Sequence, residues 1–276
     1  MLVEKTVTSL LDAFSSAEPT PGGGSASALA GAVGAALLAM VAGLPKTKSG
    51  IPEERATLDA ARVELLQLER ALADLIDRDA DAYDLVVAAY RRPKATDADK
   101  AARSQAIQDA MRVATEVPAE TVRLAARGMA LAKVVADAGN PSATSDIAVG
   151  VHLMMTASQG AMLNVGANIG SLKDAAVAAR IASEVRDAVK APAVAFRDIF
   201  RGGLADLMRQ TYERLGLPPH GAAPDISPDM LAAPATQLLA RIGTPEARQA
   251  LEVLARGTNA RMRDAAASAL SMLPGA

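Results

Sequence analysis

The sequence contains no cysteine and no tryptophan, and it has only two histidines. Disulfides, zinc–thiolate sites and thiol nucleophiles are therefore excluded. His152 and His220 stand far apart in the sequence, so neither a histidine metal cluster nor a serine–histidine triad is expected. The formal net charge is −2, which provides no basic excess for binding nucleic acid or an anionic membrane surface.

Aromatic residues make up only 2% of the 276 residues, although half of the chain is hydrophobic. The core must therefore consist of Ala, Leu, Val and Met. Such a composition suits closely packed helices, because Ala favours the helix and lets neighbouring backbones approach. Residue types that favour strands are scarce. The predicted fold class is all-α, a multi-helix bundle.

One segment has the length of a membrane span, since Ala26–Leu44 carries no charge over nineteen residues. It consists mostly of Ala, Gly and Ser, with few of the large side chains that drive insertion. We therefore expect a buried central helix rather than a transmembrane one. The N-terminus lacks a basic segment followed by an apolar one, so no signal peptide is expected and the predicted location is cytoplasmic.

Apolar periodicity predicts a series of helices over the first 200 residues, separated by Gly- and Pro-containing breaks. Thr96 is expected to cap one of them, and Pro118 is expected to divide another. The predicted helices are 4–16, 26–44, 53–91 (or two helices there), 97–116, 118–138, 144–170 and 171–200.

The last part of the chain has a different character. Residues 201–234 are rich in Gly and Pro and are predicted to be a linker with one short helix, whereas 1–200 form the main domain. Residues 235–276 resemble a single HEAT-type helical pair, with predicted helices Ala235–Ile242, Glu246–Arg256 and Arg261–Leu273. One such repeat cannot bury its own apolar face. It is therefore expected to dock on the main domain or on a protein partner.

Two segments in the N-terminal half of the chain contain residues that could bind a ligand or transfer a proton. In Pro19-Thr-Pro-Gly-Gly-Gly-Ser25, three glycines permit positive φ angles and close approach of a ligand at the start of a helix. The alternative is a tight turn with a purely structural role. Asp77 and Asp81 share a helix face and Asp79 points elsewhere, and such acids usually face solvent. A partly buried carboxylate here would have the raised pKa that proton transfer requires.

Two further segments lie in the second half of the main domain. Small polar residues from Gly139 precede an apolar helix, so Ser145 or Asp146 could simply be its N-cap. Asn164 and Asn168 share one face of that apolar helix. Buried amides must find partners, which a flat heterocycle or a neighbouring helix could provide equally well.

Several motifs together resemble a known family. They are PTPGGGSASALAGAVGAALLAMVAGL, then IDRDADAYDLVVAAYRRPKATDADKAARSQAIQDAMRVATEVP, then GNPSATSDIAVG, followed by the Asn164–Asn168 helix. In this order and separation they resemble the formiminotransferase-cyclodeaminase and methenyltetrahydrofolate cyclohydrolase family over roughly residues 4–200. The resemblance implies an all-helical fold, usually a homodimer, that binds tetrahydrofolate derivatives and needs no metal or further cofactor.

The resemblance also implies one of two reactions. One hydrolyses 5,10-methenyltetrahydrofolate to 10-formyltetrahydrofolate, and the other closes 5-formiminotetrahydrofolate with release of ammonia. The pattern from Tyr90 to Pro118 is more similar to the cyclohydrolases, so hydrolysis is the preferred prediction. A non-catalytic folate-binding or scaffold protein that uses its C-terminal helices to bind a partner is the remaining alternative.

Residue roles follow from the same resemblance. Asp79 is the first choice for the general base and acid, and Asp146 is the second. The expected substrate-binding residues are Gly22, Gly23, Gly24, Ser25, Lys46, Lys48, Asn140, Asn164 and Asn168. The two lysines would meet the carboxylates of the glutamate tail. Their loop departs from the family, because it contains no Tyr, and two solvated lysines are the alternative.

Overall fold

The computed structural model describes residues 1–201, 203–215, 245–256 and 260–271, and every regular element in these ranges is helical. The predicted all-α class is confirmed. A short 3₁₀ turn, Pro141–Ala143, precedes the fifth helix. The helices are α1 Val7–Ser15, α2 Gly23–Ala42, α3 Pro52–Tyr90, α4 Asp97–Ala138, α5 Thr144–Ile169, α6 Ala175–Arg201, α7 Gly203–Leu215, α8 Pro245–Ala255 and α9 Ala260–Ser271.

Helix α2 is the central helix of the bundle and packs against α3, α4 and α5. Its length and composition would allow it to cross a membrane, but 61% of its apolar window is buried inside the fold. Small residues let it approach α5 closely: a Cβ added to Gly34 would lie 3.0 Å from the carbonyl oxygen of Gly150. The prediction of a buried central helix is therefore confirmed.

Helices α3 and α4 form a long antiparallel hairpin beside α2. The inner face of α3 contains a column of buried leucines spaced three, four or seven residues apart, including Leu58, Leu65 and Leu72. Thr96 caps α4 as predicted, because its side chain accepts the Asp99 N–H while the Asp99 carboxylate accepts the Thr96 N–H. The hairpin thus holds residues of two helices beside the start of α2.

The predicted break at Pro118 is wrong, because α4 runs without interruption from Asp97 to Ala138. Proline has no N–H, so it cannot make the helical hydrogen bond to the carbonyl of Ala114. The side-chain amide of Asn168 on α5 donates to that same carbonyl at 2.7 Å. The carbonyl that proline leaves without a partner in α4 is therefore satisfied from a neighbouring helix, and the helix continues through a buried Pro118.

By its internal contacts the chain divides into two compact units, Met1–Met208 and Arg209–Ala276. In the second unit α8 and α9 pack together around Leu251, Ala266 and Ala269. Their bounds agree with the predicted helices at 246–256 and 261–273 to within two residues. The predicted helix 235–242 and His220 lie outside the described residues. The assignment of three domains, and of a HEAT-type repeat, stays a prediction.

The link between Pro118 and Asn168 can be measured in a double-mutant cycle of unfolding free energies. Asn168→Ala should cost about 1–3 kcal/mol, because it leaves the Ala114 carbonyl without a donor. Pro118→Ala restores a backbone N–H to that carbonyl. In this background the same Asn168 substitution should cost about 1 kcal/mol less.

Asn164→Ala is the matched control for this cycle, since the Asn164 amide donates to Gly160 and not to Ala114. Its effect should be independent of residue 118. Equal coupling for Asn164 and Asn168 in denaturant titrations would refute the compensation.

Candidate active site

The first turn of α2 encloses the carboxylate of Asp79, which lies on α3. The backbone N–H of Ser25 donates to Asp79 Oδ2 at 2.8 Å, and the Ser25 hydroxyl lies 3.0 Å from the same oxygen. An N-terminal helix turn carries unpaired amides and a partial positive charge, so it stabilises an anion placed there. Asp77, by contrast, accepts the N–H groups of Leu2 and Val3, and Asp81 is exposed.

Glycine is required at position 24 because Asp79 occupies the space of a side chain. A Cβ added to Gly24 would lie 2.1 Å from Asp79 Oδ1. The expectation of positive φ angles in this turn is wrong, since Gly50 is the glycine with positive φ among the described residues. The glycines serve close approach instead: a Cβ at Gly23 would already stand 3.4 Å from the Asn164 amide nitrogen.

Burial raises the pKa of Asp79, and the hydrogen bonds from the Ser25 hydroxyl and N–H oppose that rise. The Ser25 hydroxyl has two acceptors within reach, Asp79 Oδ2 and the carbonyl oxygen of Ile76 at 2.9 Å. When Asp79 is ionised, the hydroxyl can donate to the carboxylate. When Asp79 is protonated, the hydroxyl can turn to Ile76 and accept from the acid. The site therefore accommodates both protonation states, as a group that accepts and returns a proton requires.

Asp79 lines a cavity of about 280 Å³ between α2, α3, α4 and α5. Tyr83, Val86 and Met111 form its less polar side, and these residues were not among the predicted site residues. The i, i+4, i+7 spacing of Asp79, Tyr83 and Val86 on α3 is the signal that could have identified two of them. The complete lining is Pro19, Thr20, Gly22, Gly23, Gly24, Asp79, Tyr83, Val86, Met111, Ala114, Asn164 and Asn168.

Asn164 and Asn168 line this cavity, and each of them also has a partner within the protein. Asn164 Nδ2 donates to the Gly160 carbonyl at 2.9 Å, and Asn168 Nδ2 donates to Ala114. Asn168 thus bonds to a neighbouring helix and Asn164 to its own helix, whereas binding of a heterocycle by the pair stays a prediction. One donor of each amide is used inside the bundle, and the side chains still line the cavity beside Asp79.

The other predicted residues lie at the opposite end of the α2–α5 pair. Asp146 is eighteen residues from Asn164 on α5, about 27 Å at the helical rise of 1.5 Å per residue. Lys46 follows the far end of α2, and Lys48 and Asn140 line a separate cavity of about 200 Å³. Within one chain the structure thus separates Asp146, Lys46, Lys48 and Asn140 from Asp79.

The start of α5 also differs from the prediction. The helix continues from the preceding 3₁₀ turn and begins at Thr144, so neither Ser145 nor Asp146 is its N-cap. Asn140 caps the 3₁₀ turn instead, because its side-chain oxygen accepts the Ser142 N–H at 3.0 Å. Across the part of the chain that the structure describes, no three His, Asp or Glu side chains are grouped to hold a metal ion.

Comparison with known proteins shows which family this chain resembles. Residues 6–187 match the formiminotransferase-cyclodeaminase family. The methenyltetrahydrofolate cyclohydrolase of Methylorubrum extorquens is 40% identical over 178 residues, which cover 64% of this chain and 86% of that protein. The formimidoyltransferase-cyclodeaminase of Sus scrofa is 28% identical over 184 residues, 67% of this chain but only 34% of that longer protein.

A solved structure shares the fold. The crystal structure of formiminotetrahydrofolate cyclodeaminase from Thermotoga maritima superposes with a TM-score of 0.65 over 73% of this chain and 96% of that chain. Its sequence identity is 21%, so this likeness concerns the helical arrangement alone.

Gly24→Ala tests the close contact at the start of α2. The added Cβ must displace Asp79, so we expect loss of activity and a destabilisation of about 1–3 kcal/mol. Gly166→Ala on α5 is the matched control, because nothing lies within 4 Å of a Cβ there. It should leave activity unchanged and stabilise the helix by about 0.5–1 kcal/mol. An active, stable Gly24→Ala protein would show that Asp79 is not confined by this turn.

Asp79→Asn separates the chemical role of the carboxylate from its effect on stability. Because the pKa of Asp79 is raised in the folded chain, ionisation lowers stability as the pH rises from the ordinary pKa through the raised one. Asparagine removes that cost and keeps an acceptor for the Ser25 N–H. We expect an unchanged or higher melting temperature at neutral pH, together with an activity loss of about 10²–10⁴-fold.

The direction of this pH dependence is checked by melting curves of wild type and Asp79→Asn, recorded at neutral pH and below the ordinary Asp pKa of about 3.9. The advantage of the variant should shrink at the lower pH, where Asp79 is protonated in both states. A variant that is less stable at neutral pH but equally active would contradict both expectations.

Proposed function

Because this chain belongs to the formiminotransferase-cyclodeaminase family, we propose that it hydrolyses 5,10-methenyltetrahydrofolate to 10-formyltetrahydrofolate. The observation that carries the proposal is the half-buried carboxyl of Asp79, with its raised pKa, in a cavity at the glycine turn. The 40% identical relative named as a methenyltetrahydrofolate cyclohydrolase supports this reaction over the deaminase.

The proposed chemistry needs one group that takes a proton and returns it. The bridge carbon between N5 and N10 is part of an amidinium cation, which the negative charge of Asp79 attracts. Water attacks that carbon while its proton moves to Asp79, and a carbinolamine forms. Asp79 then protonates N5, the bond between carbon and N5 breaks, and the remaining hydroxyl releases its proton to give the formyl group on N10.

Other residues have proposed roles in binding. The glycine turn Gly22–Gly24 would lie against the pterin end, and Asn164 and Asn168 would offer their remaining amide groups to the heterocycle. This assignment is supported by their common position along one cavity. Ser25 is fully buried and does not line the cavity, so it would act through its hydrogen bonds to Asp79 rather than by touching the substrate. No metal and no cofactor beyond the folate is part of the proposal.

We also propose a homodimer. Large apolar side chains of α2 and α5 are exposed in the single chain, including Val33 at 48% and Leu163 at 69%. A two-fold axis across this pair would bring the Lys46, Lys48, Asn140 and Asp146 end of one copy towards the Asp79 end of the other. Their proposed roles in substrate binding, and that of Asp146 as second acid, depend on such pairing. Light scattering of the purified protein measures the mass.

The remaining proposals concern the C-terminal helices and the location. We propose that α8 and α9 form a HEAT-like repeat that binds a protein partner, and that the enzyme acts in the cytoplasm, where it would serve one-carbon metabolism. A chain truncated after residue 215 should keep its hydrolase activity if the repeat serves only binding. Assays of cell fractions test the location.

The reaction itself is tested by spectrophotometry. Purified protein is added to 5,10-methenyltetrahydrofolate, and the loss of the near-ultraviolet absorbance of the methenyl form is compared with the uncatalysed rate. We expect a large acceleration that Asp79→Asn abolishes and Gly166→Ala leaves intact. In parallel, 5-formiminotetrahydrofolate is offered and released ammonia is measured.

The outcomes separate the candidate functions. Rapid hydrolysis without ammonia release supports the cyclohydrolase, whereas ammonia release with slow hydrolysis replaces it with the cyclodeaminase. If a folded protein shows neither activity, the non-catalytic binding protein is favoured.

A further inference from the structure

The Asp79 cavity is lined by one aromatic side chain, that of Tyr83. Aromatic residues are rare in this protein, with three Tyr, three Phe and no Trp in the whole chain. The buried residues of the main core are all aliphatic or Met, and Tyr83 does not belong to them, because it is 40% exposed. Packing of the core therefore does not account for an aromatic ring at this position.

Tyr83 lies one helical turn after Asp79 on α3, and both side chains line the same cavity. Residues four apart on a helix are neighbours on its surface. Long side chains in a helix also lean towards its N-terminal end, which directs the Tyr83 ring towards the turn that carries Asp79. A flat group held at the Asp79 carboxylate would therefore lie within reach of the Tyr83 ring.

The charge of the cavity wall favours a cation. Asp79 is the one charged residue among those that line this cavity, and no Lys, Arg or His is among them. A cation bound here would meet a carboxylate and the negative face of an aromatic ring, and it would face no like charge on the cavity wall. The cavity therefore suits a flat cation better than a neutral group of the same shape.

The Tyr83 ring is also not engaged by a cation of the protein itself. Tyr90, two turns further along α3, shows the contrast, because the guanidinium carbon of Arg103 lies 5.4 Å from its ring centroid. In the part of the chain that the structure describes, no such cation lies over Tyr83, and its hydroxyl makes no hydrogen bond. The face of the Tyr83 ring is thus available to a ligand.

We propose that Tyr83 is a specificity-determining residue whose ring stabilises the amidinium cation of the methenyl substrate and favours it over folates with a neutral one-carbon group. The inference rests on the proposed function for the identity of the cation. The Tyr83 ring still attracts positive charge after Asp79 has taken up a proton. Opening of the bridge removes the positive charge from the ligand, so this attraction ends when the neutral formyl product forms, which favours product release.

The test measures binding in an Asp79→Asn background, where the substrate is not turned over and the carboxylate no longer contributes to the preference for a cation. Cationic 5,10-methenyltetrahydrofolate and neutral 5-formyltetrahydrofolate are titrated calorimetrically at mildly acidic pH, where the methenyl form is stable. Adding Tyr83→Leu should weaken binding of the methenyl form about three- to tenfold and of the 5-formyl form less than about twofold. Adding Tyr83→Phe should retain the preference, because phenylalanine offers the same ring face.

Tyr90→Leu in the same background is the matched control, since Arg103 already covers that ring. It should leave the ratio of the two dissociation constants unchanged. Retained binding of the neutral folate shows that each variant is folded.

Three results would overturn the inference: equal weakening of both ligands by Tyr83→Leu, the same loss of preference in Tyr83→Phe, or an unchanged ratio in both variants. No step of the experiment requires hydrolysis. A wild-type protein without cyclohydrolase activity would therefore refute the proposed reaction, whereas the ratio of dissociation constants would still decide the role of Tyr83.

Discussion

The contact between the first turn of α2 and the Asp79 carboxylate is the constraint on which the rest of the site depends. It requires a residue without a side chain at position 24, a hydroxyl at position 25 and a helix that begins where the chain leaves the glycine turn. Helix α2 can reach this position only because its own small residues let it lie between α3 and α5. The alanine-rich composition therefore serves the site as well as the core, since bulkier residues along α2 would move its first turn away from α3.

Much of this arrangement could be predicted from the sequence because the relevant signals are local. Helix positions follow from Ala and Leu spacing, the Thr96 cap from its Asp99 partner three residues later, and the glycine turn from its composition. The exception at Pro118 has a physical cause. The donor that compensates for the missing N–H belongs to Asn168, fifty residues further along the chain, and no local pattern reveals such a partner.

The candidate binding residues also divide into those that meet at the Asp79 cavity, as predicted, and those that lie elsewhere. Asn164, Asn168 and the glycines meet at one cavity because α2 and α5 are antiparallel and their relevant ends coincide. Lys46 and Lys48 follow the same glycine segment in the sequence but lie a whole helix length away from it, since twenty helical residues separate the two ends of α2.

The hydrogen bond from Asn168 to the Ala114 carbonyl has a consequence for how this protein can diverge. As long as position 118 is proline, a substitution of Asn168 has two costs. It leaves the Ala114 carbonyl without a donor, and it alters the wall of the cavity. A lineage that first replaces the proline regains the backbone hydrogen bond to the Ala114 carbonyl. Residue 168 can then change under selection for ligand binding alone. The order of substitutions, rather than their identity, would decide which specificities this scaffold can reach.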